Sequence, residues 1–198
     1  GNANVIQKNG DNSGIIGGES NTIGSTVNAF MAASSGNSID DYAHQSSIIG
    51  GTSQTLGSSM NSVILGGNQN SIEDSSYQSI VLGGERNQIG NDSYNSFIAA
   101  GSDNSTADSS LHSVIIGGKS NTIGYTFLGI GGSFIAGGNS NEILDSTSYS
   151  SIIAGDNNAI GPAAKGSVIT GGAGNSMGGA DFAFIGGSLG AVMGEKIA

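Results

Sequence analysis

Apolar and polar positions recur along this chain with a period near 17 residues. The unit reads Ser-x-Ile-x-Gly-Gly-x-x-Asn-x-Ile, as in Ser113-Val114-Ile115-Ile116-Gly117-Gly118-Lys119-Ser120-Asn121-Thr122-Ile123. Eleven copies begin at Ser13, Ala29, Ser46, Ser62, Ser79, Ser96, Ser113, Ser133, Ser150, Ser167 and Phe182. Neighbouring copies start 16 or 17 residues apart, except for one interval of 20 after Ser113 and a last one of 15. One such repeat is too small to bury its own apolar face, so a fixed short period predicts a solenoid of stacked coils. Each coil is expected to hold a strand around position 3, a Gly turn, and a second strand around position 11.

Position 3 is apolar in every copy, from Ile15 and Met31 to Ile169 and Phe184, and position 11 in all but Thr106. These two columns predict the coil interior, an Ile ladder repeated at each level. Positions 2 and 4 lie on the opposite face of the first strand, because side chains alternate along a strand. Even so they are mostly apolar, and they trade volume. Phe30, Phe97 and Phe134 at position 2 accompany Ala32, Ala99 and Ala136 at position 4; Gly14, Ser47, Ser151 and Ala183 accompany Ile16, Ile49, Ile153 and Ile185. Solvent imposes no such trade, whereas a close-packed space does. This second face is therefore expected to be covered, by another copy of the chain or by a further layer of the same one.

Positions 5 and 6 are small throughout, with position 6 the expected bend. They do not form a phosphate loop, since no copy has the full Gly-x-x-x-x-Gly-Lys-Ser/Thr spacing and no helix is expected after them. Position 9 is Asn in nine copies. Asn suits a left-handed corner, and when stacked it suits an amide ladder. After position 11 the sequence varies, as expected of the outward edge of a solenoid. Two residues before successive Ser positions stand Val27, His44, Met60, Tyr77, Tyr94 and Leu111. This bulky column reads as a receptor or glycan contact stripe, or as a seam under a neighbouring subunit. The candidate contacts are His44, Met60, Tyr77, Tyr94 and Leu111, with Tyr149 and, in the insertion of the long copy, Tyr125 and Phe127. Residues 1–12 are expected to cap or join, 13–193 to form the roll, and 194–198 to form a second junction. The opening Gly1 suggests a segment of a longer protein.

Composition narrows the functions. Net charge is −10 with five Lys and Arg, which excludes the basic surface that nucleic acid requires. No apolar run is long enough to insert in a membrane as a helix, and with no Cys there are neither disulfides nor thiolate metal sites. No cofactor is expected. Ile outnumbers Leu by 24 to 7, a strand-forming bias. Loop carboxylates such as Asp40, Asp41, Glu73, Asp74, Asp92 and Asp145 read as solvated turns rather than a glycosidase pair. His44 and His112 lie four coils apart and share no site. A Thr row at Thr22, Thr55 and Thr122 is too interrupted for an ice-binding face.

The strand-and-turn signature, as in Ser62-Val63-Ile64-Leu65-Gly66, resembles the head repeats of trimeric autotransporter adhesins of the YadA type. Similar repeats occur in bacteriophage tail fibres. The period here is longer than that family's, and the Gly pair and Asn stand where it often has Ala or Ser. The resemblance implies a left-handed parallel β-roll, a homotrimer, an extracellular location and attachment to a host surface protein or glycan. The resulting expectation is a non-enzymatic, all-β fibre module that presents its variable loops. A purely structural spacer is the alternative; a glycan-cleaving spike or an ice-binding solenoid fits less well.

Overall fold

The structure is a computed structural model that describes residues 3–32, 35–124 and 131–194. It is an all-β parallel solenoid, as the period predicts. An eleven-stranded sheet carries positions 2 and 3 of every coil, and a twelve-stranded sheet carries positions 10 and 11. Most strands have two residues, and each pairs with its equivalent one coil away. Val63–Ile64 pairs with Ile80–Val81, which pairs with Phe97–Ile98, which pairs with Val114–Ile115. A line of single bridges at position 7, from Glu19↔Ser35 to Asp156↔Ala173, forms the third side. At about 4.8 Å per coil the stack is roughly 50 Å long.

The interior has two apolar ladders and three polar ones. Ile48, Ile64, Ile98, Ile115, Ile135 and their equivalents at position 3 face Ile39, Ile72, Ile89, Ile123 and Ile143 at position 11, all buried except Ile15, which is partly buried. At position 9 each Asn binds the next. Asn121 donates its backbone N–H and its Nδ2 to Asn104 Oδ1, both at 3.1 Å. Its Nδ2 also reaches the Gly117 and Gly138 carbonyls. Ser at position 1 makes a second ladder: Ser96 Oγ accepts the Ser113 N–H and donates to the Ser110 carbonyl. A third ladder stands three residues before position 1 in coils that carry Ser or Thr there, and Ala43, Ala164 and Ala180 interrupt it. There Ser76, Ser93 and Ser110 repeat the arrangement, with Ser93 Oγ accepting the Ser110 N–H and donating to the Ala107 carbonyl. Side-chain oxygens thus satisfy backbone groups in the corners, where no sheet does so.

The corners are left-handed. Position 8 has positive φ in every coil, as at Arg86 (52°) and Ser120 (53°), and so does the residue just before position 1. Position 6 is the bend, as expected. Gly84 there has φ 90°, and a Cβ would collide with the Gly101 carbonyl and crowd Asn87 Nδ2. Asn at position 9 is not itself left-handed; its role is the ladder.

Two details of the repeat need correction. The last copy does not start at Phe182. Phe184 pairs with Val168 and Ile185 with Ile169, and the Ala183 N–H bonds to Ser167 Oγ. The copy therefore starts at Ala183, and Ile185 is the interior residue, at 5 % exposure, while Phe184 points outward. Position 11 of that coil is Met193, paired with Met177, rather than Val192. A run of four near-equivalent residues, Phe182-Ala183-Phe184-Ile185, permits either frame, and the Ser ladder fixes the observed one. At the other end the stack begins before Ser13. Asn4 forms the first rung of the Asn ladder through Asn21, and Val5–Ile6 pairs with Thr22–Ile23.

Candidate functional site

Two outward surfaces stand out. The first is the outer face of the eleven-stranded sheet. Position 4 side chains Ile16, Ile49, Leu65, Leu82, Ile116 and Ile153 are between 40 and 64 % exposed. Position 2 residues beside them, such as Val63, Ile80, Phe97 and Val114, are half-buried. No further layer of the described chain covers this face. No charged residue occurs at position 2 or 4 in any coil, although the chain has 15 acids. The corrected frame removes Ala183 and Ile185 from the volume trade, since they hold positions 1 and 3, and puts Phe184 at position 2 with Gly186 at position 4, in line with the Phe–Ala pairs. A continuous, charge-free apolar strip along a whole solenoid is larger than scattered surface hydrophobes explain.

The second surface is the variable corner. The column two residues before position 1 stacks as its spacing predicts, with the rings of Tyr77 and Tyr94 at 5.3 Å and an interplanar angle of 48°. Tyr77, Tyr94, Leu111 and His44 are half-buried, and Met60 is exposed. His44 is engaged in the fold: its Nδ1 accepts the Val27 N–H at 2.9 Å and lies 3.3 Å from Thr26 Oγ1. Tyr149 stands in the next column, immediately before position 1, with φ 56° and 58 % exposure. Tyr125 and Phe127 lie outside the described residues.

The loop acids act as corner caps. Asp41 Oδ1 accepts the Ser25 N–H, Asp74 Oδ1 the Ser58 N–H, and Asp108 Oδ1 the Asn91 N–H. A shallow hollow of about 360 Å³ runs beside Asp40, Asp41 and Asp74. Among the described residues no group of three His, Asp or Glu is placed to hold a metal. On the opposite corner Arg86 binds Asp103 through Nε and Nη2 and Glu85 through Nη1. The hydrogen bond from Arg86 holds the Asp103 carboxyl below the usual range, and Asp103 raises the guanidinium in turn. The pair is solvent-exposed, so it contributes little to stability. Among the described residues no helix is long and apolar enough to cross a membrane.

Sequence reasoning passed over the two Ser ladders, since a buried Ser column and a surface Ser-rich loop look alike in composition. The periodic spacing of Ser76, Ser93 and Ser110 was the available signal. Compared with known proteins, the chain matches no family model and no curated sequence.

Proposed function

We propose that the chain is a non-enzymatic rod module of an extracellular fibre, which assembles with copies of itself and presents its variable corner to a host surface. The observation that carries this reading is the charge-free apolar face of the eleven-stranded sheet. Its pairing of Phe at position 2 with Ala or Gly at position 4 suits a space filled at each level by equivalent coils. The YadA-type resemblance adds a left-handed roll and threefold association. A trimer would carry three times −10, or −30, of formal charge, which favours solubility and discourages non-specific contact with acidic surfaces. Among the described residues side-chain ladders tie most of the backbone corners, which suits a module that must stay straight while bearing load.

Light scattering on the purified chain is expected to give the mass of three protomers at micromolar concentration. Leu82→Asp and Ile116→Asp place a charge on the outer face without touching the interior, and are expected to shift the mass towards monomer while keeping the β-sheet circular dichroism. A monomeric wild-type chain would overturn the assembly. Failure of the assembled protein to attach to any cell surface would leave it a spacer.

A further inference from the structure

The column just before position 1 takes positive φ in all eleven coils, and nine of its residues are Asn, Gln, His or Gly. The other two are Tyr149 (φ 56°) and Phe182 (φ 54°). Bulky aromatic side chains are outliers in this region, and such strain persists where function retains it. Burial does not offset it, because Tyr149 is 58 % and Phe182 80 % exposed.

Each ring instead lies back over a glycine one coil earlier. A Cβ on Gly166 would come within 2.8 Å of the Phe182 ring, and one on Gly132 within 3.1 Å of the Tyr149 ring. The column thus alternates Gly132, Tyr149, Gly166, Phe182, and its two rings stand two coils, roughly 10 Å, apart. Two exposed polar groups join them. Lys165 Nζ sits 5.7 Å from the centroid of the Tyr149 ring. Asp181 accepts the Lys165 backbone N–H with Oδ1 at 2.9 Å, which leaves its second oxygen as an acceptor.

We propose that Tyr149, Lys165, Asp181 and Phe182 form a saccharide-binding site for a neutral pyranose unit of a surface glycan. A sugar ring has an apolar C–H face that stacks on an aromatic ring, and hydroxyls at its edge that both accept and donate. Lys165 supplies the donor and Asp181 the acceptor, and charged partners make the stronger hydrogen bonds. A neutral sugar is favoured over an anionic one by Asp181 and by the net charge of −10. The site rests on the attachment reading and names its ligand class.

The test uses the intact protein on an immobilised array of neutral, sialylated and sulfated glycans, with Phe182→Asn and Asp181→Asn as variants. Binding to neutral glycans is expected, and each variant is expected to lose it by tenfold or more. Phe182→Asn should keep or raise the thermal midpoint, because Asn suits the left-handed backbone, so its loss of binding is not a loss of fold. Binding to no neutral glycan, binding only to anionic ones, or full binding by both variants overturns the site. Whole-cell attachment separates the two readings: attachment that persists in Phe182→Asn sinks this site alone, whereas an array signal without cell attachment sinks the attachment reading alone.

Discussion

Position 11 takes Ile, Leu or Met in every complete coil but one, and the exception is Thr106. It is fully buried between Ile89 and Ile123, and its Oγ1 has no hydrogen-bond partner among the described residues. A buried hydroxyl left unpaired costs about 1–3 kcal/mol. Thr106→Val replaces it with a methyl of the same shape and is expected to stabilise the protein by about 1 kcal/mol, read by denaturant titration at fixed protein concentration. A loss of stability would mean that the hydroxyl has a partner. In the same experiment Ile115→Ala, in the facing ladder, is expected to cost about 2–5 kcal/mol. The interior columns were legible in sequence because an apolar position repeated eleven times outweighs any single exception. The aromatic site was only half legible. Tyr149 is conspicuous as an exposed-loop aromatic, but Phe182 reads as position 1 of a copy until pairing shows that Ala183 holds that place. Positive φ, which both residues share with the exposed Tyr42, is a backbone property that composition does not carry.

At the scale of the element, the strands are too short to define the coil, and the Asn ladder takes over. Asn104 Nδ2 donates to Asn87 Oδ1, to the Ala100 carbonyl of its own coil and to the Gly118 carbonyl of the next, each at 3.1 Å. Its Oδ1 accepts from both the backbone and the side chain of Asn121. Asn104→Ala strands several buried groups at once and is expected to cost at least about 3 kcal/mol, since each unpaired group carries its own desolvation penalty. Asn104→Gln is expected to cost less, because the molecule already uses Gln at one rung. There Gln54 Nε2 reaches the Gly66 carbonyl and Oε1 accepts the Asn70 N–H, both at 2.8 Å. Equal losses in the two variants, measured by denaturant titration, would show that the ladder contributes no more than its packing. The Asn column was visible in sequence with two roles open, a left-handed corner or a ladder. The ladder holds, and the left-handed residue is its neighbour at position 8.

At the scale of the whole molecule, the first eight copies have a period that the 17-residue unit hides. Position 12 alternates there, as Gly24, Asp40, Gly57, Glu73, Gly90, Ala107, Gly124 and Leu144, and the alternation ends with Gly161, Gly178 and Gly194 in the last three copies. None of these glycines has positive φ, so they are not there for backbone freedom. Each glycine of the alternating stretch faces an Asp of the next coil, and a Cβ would meet Asp74 Oδ1 at 2.5 Å from Gly57 and Asp108 Oδ1 at 2.7 Å from Gly90. That Asp caps the corner of the glycine's coil, as Asp74 caps Ser58. Up to Leu144 the coils therefore come in pairs, one giving this Asp cap and one giving the room for it. Solenoid contacts run between neighbouring coils, so removing whole pairs should leave every junction native-like, whereas removing one coil should not. Deleting residues 62–95 brings Gly57 against Asp108, and the protein is expected to fold with a thermal midpoint near that of the full chain. Deleting only 79–95 brings Glu73, with its Cβ, against Asp108, where Gly90 had left space. This shorter deletion is expected to lower the midpoint by more than the longer one, although it removes half as many contacts. If the midpoint instead fell with the number of residues removed, the pairing of coils would have no energetic weight and the single coil would be the true unit.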